Sequence, residues 1–175
     1  MKTKNILLTA ALAAFCASPA FAAQDEKKHE KGNMDEMFIM KAADGGMAEV
    51  ELGRLASQNG ESSRVKEFGE HMTKDHTKAN DELKAVAAKM NVTVPEKVGP
   101  KNQATMDKLS KLSGAKFDEA YGKAMVKDHM EDIAEFEKAA NGAKNPELKA
   151  FAGKTLPTLK EHLKMAKELN AKKSA

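Results

Sequence analysis

Val65-Lys66-Glu67-Phe68-Gly69-Glu70-His71-Met72, continued through Ala79-Asn80-Asp81-Glu82-Leu83 to Val86 and Met90, sets the period of the chain. Val65, Phe68, Met72, Ala79, Leu83, Val86 and Met90 recur at spacings of three, four or seven. At about 100° per residue they form one apolar stripe on a helix. Ser62 or Ser63 can cap its start, with Glu67 near the capping-box position. Pro95 and Gly99-Pro100 break the chain beyond it.

The same period extends in both directions. Residues 35–58 carry Phe38, Ala42, Gly45, Glu49, Leu52, Gly53 and Ala56 on one stripe, closed by Asn59-Gly60. Residues 115–141 carry Phe117, Tyr121, Met125, Ile133, Phe136 and Ala140. Residues 146–169 open with Asn145 as cap and Pro146 at the first helical position. Their stripe is Leu148, Ala152, Thr155, Leu159, Leu163, Ala166 and Leu169, and Pro157 falls on the opposite side. Four such helices in two hairpins predict an all-α four-helix bundle over 34–170. Its longer middle connection contains a short helix near 102–112. The small residues Gly45, Gly46 and Gly53 let a neighbour approach closely. Residues 23–33 are polar and aperiodic and read as a disordered lead-in; 171–175 reads as a frayed tail.

Composition supports this reading. The chain has 175 residues, 31% charged and 5% aromatic, with no Trp and one Cys, which disfavours an all-β fold. A formal charge of +3 gives no footprint for nucleic acid. Residues 1–22 read as a secretory signal peptide, with Lys2 and Lys4, a short apolar run over 6–15, and Ala20-Phe21-Ala22 before the cut. Phe15 stands where a lipoprotein signal needs a small residue before its Cys, so Cys16 leaves with the signal. The expected product is exported, periplasmic or envelope-associated, without a transmembrane anchor or a thiol. Protein partners are not specified, and a homo-oligomer is left open.

One short pattern recurs on three helices: Lys74-Asp75-His76, Lys127-Asp128-His129 and Lys160-Glu161-His162. His129 falls between Met125, Ile133 and Phe136, and His162 beside Leu159 and Ala166. Asp75 and His76 straddle their stripe, each roughly 50° from its centre. The first helix has no such His, but Glu49 lies mid-stripe. Burying an unpartnered carboxylate costs several kcal/mol, so something must meet Glu49. At about 1.5 Å per residue the four groups share a level within roughly one turn. In one reading Glu49, His76, His129 and His162 converge on a transition metal (zinc, iron, copper or manganese), with Asp75 and Asp128 as ligands or outer acceptors. In the other, the same groups form a buried network that only fixes register. Met34, Met37 and Met40 at three-residue spacing suit a soft ion such as copper(I), or simply fill a core. No Ser–His–acid elbow or Gly-rich phosphate loop is present, so no catalytic residue is assigned.

Met47-Ala48-Glu49-Val50-Glu51-Leu52-Gly53-Arg54-Leu55-Ala56, Asp75-His76, Phe117-Asp118-Glu119-Ala120-Tyr121, Asp128-His129 and Leu156-Pro157-Thr158-Leu159-Lys160-Glu161-His162 follow in order. Together they resemble the bacterial family called domain of unknown function 4142, over about 35–169. The resemblance implies an exported, ferritin-like helical bundle. Di-iron sites of that fold pair Glu and His three apart on a helix. None of the three repeated histidines has a Glu three before it. The expected function is therefore non-catalytic metal handling or stress protection in the periplasm. The alternatives are an envelope structural or interaction protein and, third, a metal-dependent oxidoreductase.

Overall fold

The computed structural model describes residues 19–171, with side chains from Met34 onward. Five helices follow in order: α1 (Pro19–Asn59), α2 (Ser63–Lys89), α3 (Pro100–Leu109), α4 (Gly114–Gly142) and α5 (Pro146–Ala171). There is no strand among the described residues. Short turns fold α1 onto α2 and α4 onto α5, and the two hairpins pack α2 against α5 and α1 against α4. α3 rests on α1 and α4.

Two boundary readings need correction. The first helix begins at Pro19, so 23–33 is helical and not a disordered lead-in. That stretch is rich in Ala, Lys and Glu, and extending an existing helix costs far less than starting one. The cap of α2 is Ser62, whose Oγ accepts from Val65 N at 3.3 Å. The capping-box position is then Val65, and Glu67 closes no box. The expected signal peptide lies, up to residue 18, outside the described residues, with Cys16; so does the tail from 172. No helix among the described residues is long and apolar enough to cross a membrane.

Other local signals act as read. Asn145 Oδ1 accepts from Glu147 N and Leu148 N at 2.9 and 3.0 Å, with Pro146 opening α5. Pro157 sits inside α5 on its exposed side. Three aspartates then tie the connections to distant helices. Asp118 accepts from Glu61 N and Ser62 N, Asp35 from Lys144 N and Asn145 N, and Asp44 from Gly99 N and the Asn102 amide. Such carboxylate bonds contribute about 1.5–3 kcal/mol each, and here they fix how deep each turn sits.

The core has two apolar clusters. One gathers Phe38, Ile39, Leu83, Phe136, Leu148, Phe151 and Leu159. The other gathers Leu52, Ala56, Val65, Phe68, Met72, Phe117, Tyr121 and Met125. Ile39, fully buried, lies off the stripe read from the sequence. Between α1 and α2 the backbones nearly touch: a Cβ on Gly53 would stand 2.6 Å from Gly69 O, and one on Gly69 2.5 Å from Gly53 O. Gly53→Ala is therefore expected to lose about 1–3 kcal/mol by overpacking. Gly142, with nothing within 4 Å of an added Cβ, is expected to gain up to about 1 kcal/mol as Ala. Urea midpoints of the two variants check the contrast.

Candidate metal centre

Four helices each bring a buried polar group to one level between the two apolar clusters. These are Glu49 from α1, His76 from α2, His129 from α4 and His162 from α5, none more than 5% exposed. The three imidazole rings form a triangle with centroids 5.8, 5.2 and 5.4 Å apart. One nitrogen from each comes within 4.8 Å of the others, and a second set of Glu49, Asp128 and His129 meets the same limit. These groups could hold a metal ion.

The outward ring nitrogens are all engaged. His76 Nδ1 lies 2.9 Å from Glu49 Oε2, His129 Nδ1 3.0 Å from Met125 O, and His162 Nε2 3.1 Å from Asp75 Oδ2. An acceptor on the far nitrogen of each imidazole is the arrangement that orients histidines toward an ion. The inward contacts are His76 Nε2 to His162 Nδ1 at 3.3 Å and His129 Nε2 to Glu49 Oε1 at 3.5 Å. Tetrahedral ligands at about 2.0–2.1 Å from zinc stand roughly 3.3–3.4 Å apart.

Protons decide what the cluster lacks. Four contacts run from His129 Nε2 through Glu49, His76 and His162 to Asp75, and each needs one hydrogen. His129 donates its own from Nδ1 to the Met125 carbonyl, so its Nε2 carries only a lone pair. Neutral His76 and His162 bring one hydrogen each, and a protonated Glu49 a third. One contact stays acceptor against acceptor. Glu49 Oε1 and His129 Nε2, 3.5 Å apart, are the atoms buried there without a hydrogen-bond partner. A further proton on a ring would make a buried imidazolium. Burial opposes that, holding His76 down at about 4 and His129 at about 3, and it lowers His162 as well.

The carboxyl side is under similar pressure. Burial first, then Asp128, raises Glu49 well above the usual carboxylate range. Burial first, then Glu49, does the same to Asp132. Asp128 is raised by burial and then by Glu131. Asp132 was not among the candidates read from the sequence, yet it stands near enough to Glu49 for the charge of Glu49 to raise it further. The signal was its place one turn after both Asp128 and His129. Tyr121, fully buried above Phe117, also leaves its hydroxyl unpartnered.

The remaining candidates separate by role. Asp75 reaches across to α5 and orients His162, not its neighbour His76. Asp128 faces Glu49 and His129. Met34, Met37 and Met40 are 41%, 50% and 39% exposed, so they lie on the surface of α1, outside the cluster, and do not fill the core.

His129 refuses in the folded chain a proton that the unfolded chain takes below about 6.5. Its contribution is therefore complete above 6.5 and is lost as pH falls from there toward about 3. In chelator-treated protein, wild-type stability should fall more steeply than that of His129→Gln across that window, by up to about 1.4 kcal/mol per pH unit. Urea unfolding at pH 6.5, 5.5 and 4.5 measures the difference.

The chain belongs to the family described as Domain of unknown function (DUF4142), whose model matches residues 18–169. The crystal structure of a DUF305 fragment from Deinococcus radiodurans is similar, with a TM-score of 0.70 and 12% identity, covering 79% of this chain and 96% of that one. A DUF305 protein from Streptomyces coelicolor is similar at 0.69 and 13%, covering 81% and 94%. At these identities the likeness is one of fold. No curated protein matches.

Proposed function

We propose that this DUF4142 protein is an exported, ferritin-like four-helix bundle that holds one transition-metal ion, serving metal handling or stress protection in the periplasm. His76 Nε2, His129 Nε2 and His162 Nδ1 are its nitrogen ligands, and Glu49 Oε1 is the fourth donor. Asp75 and the Met125 carbonyl fix the rings that carry them. The observation that carries the reading is the convergence of three buried imidazoles and Glu49, with Glu49 Oε1 and His129 Nε2 unpartnered 3.5 Å apart. A cation bound between them answers both at once. Three imidazoles and a carboxylate suit zinc, iron, copper or manganese. Ligands projecting inward from facing helices are the ferritin-like way of building such a site. The N-terminal apolar run before Ala20-Phe21-Ala22 supports export.

The unbroken run Glu49–His76–His162–Asp75 favours a second reading, in which the polar layer only sets helix register. Metal analysis of protein purified from the periplasm, with melting curves after chelation and readdition of zinc, copper, iron or manganese, separates the two. Wild type is expected to carry about one ion per chain. A free ion at 100 times its Kd should add about 2.7 kcal/mol, or roughly 5–10 °C in Tm. His129→Ala should abolish the gain, and Met34→Leu with Met37→Leu should leave it intact. A wild type without stoichiometric metal and without a melting response leaves only the structural reading.

A further inference from the structure

Two clefts reach the central cluster from opposite sides. One lies between α2 and α5, where Asp75 and His76 meet Lys78, Glu82 and Lys154. Its acids and bases balance in number, and Lys154 closes on Glu82 at 2.9 Å. The other lies between α1, α3 and α4, and five acids face it: Asp44, Asp128, Glu131, Asp132 and Glu135. Only Lys41 and Lys101 oppose them. Both lysines are already engaged at the rim, Lys101 with Glu131 at 2.9 Å and Lys41 with Glu135 at 3.4 Å. Asp44 is taken by the start of α3. Asp128 and Asp132 are left, and neither forms an ion pair with a lysine or arginine among the described residues.

These two residues also lead inward. Asp132, with Ala42 and Phe136, lines both this cleft and the small internal cavity that Glu49 and His76 face. Asp128 offers a carboxylate oxygen within 4.8 Å of the Glu49 and His129 ligand atoms. Behind them stands Glu49 Oε1, 96% buried at the side chain and unpartnered. Carboxyl groups therefore line the way from the cleft to the imidazoles. Clefts lined by one sign of charge concentrate ions of the opposite sign.

We propose that Asp128, Asp132 and Glu49 form a carboxylate transfer subsite through which divalent cations pass from the α1–α3–α4 cleft to the three histidines, with Lys101 as the charged barrier at its mouth. The inference rests on the metal-site reading above and adds its route. An ion arriving from solvent displaces the protons that burial keeps on these carboxyls out into the cleft, exchanges waters for the two aspartates, then for Glu49, and is taken up last by nitrogen. The stepwise exchange spares a bare ion from crossing an apolar wall.

Stopped-flow absorbance with Co²⁺ and the chelated full chain tests it, because the visible band of cobalt reports arrival at nitrogen ligands. Lys101→Gln, a substitution at a side chain 75% exposed, is expected to speed capture about three- to tenfold at low ionic strength, with the gain vanishing near 1 M salt. Asp132→Asn is expected to slow it about tenfold at unchanged final stoichiometry. Lys154→Gln in the opposite cleft should leave the rate unchanged. If wild type captures cobalt but Lys101→Gln does not change the rate, or Lys154→Gln accelerates it instead, the route is overturned and the metal site stands. A wild type that captures no cobalt overturns both.

Discussion

A carboxyl group held at the centre of a helical core constrains everything around it. Glu49 cannot sit there unless partners arrive from other helices, because an unpaired buried charge costs more than most single contacts contribute. Its two oxygens divide the work. One meets His76 at 2.9 Å, and the other faces His129 at 3.5 Å without a hydrogen-bond partner. The polar layer separates two apolar clusters, each closed by its own aromatic contacts. The molecule thus spends its central layer on four groups that contribute little to hydrophobic stability.

Bringing those groups to one level is a matter of register. The Gly53–Gly69 approach locks α1 to α2 with backbones in contact. Asp118 then draws the α1–α2 turn onto α4, and Asp35 draws the α4–α5 turn onto α1. Each tie joins residues more than fifty positions apart. A slip of one residue along any helix would turn its polar group by about 100° out of the layer. The ties and the glycine contact therefore serve the site as much as the fold.

The fold was largely legible because period and punctuation agreed. Every long helix carried its stripe, and Asn145-Pro146 marked the start of α5 correctly. Glu49 declared itself by lying on an apolar stripe. The start of α1 was hidden because residues 23–33 have helix-forming composition without an apolar period. Asp132 was hidden because it has no histidine beside it and only partial exposure; its meaning depends on Glu49 arriving from another helix. The roles of the candidate acids were also out of reach, since they depend on which helix stands opposite.

The three Lys-acid-His triplets show why. Locally they are alike, and adjacency turns each acid about 100° from its histidine. Globally they diverge. Asp75 crosses to His162, Asp128 faces Glu49 and His129, and Glu161 stays exposed. If the triplets existed only to pair a histidine with its neighbouring acid, the three would be equivalent. What they share instead is the inward histidine, each with its far nitrogen anchored by a group other than its neighbouring acid: Glu49 from α1, the Met125 carbonyl one turn back on α4, Asp75 from α2. A layer that served register alone needs donors matched to acceptors, and here Glu49 Oε1 and His129 Nε2 are left without partners at its most buried point.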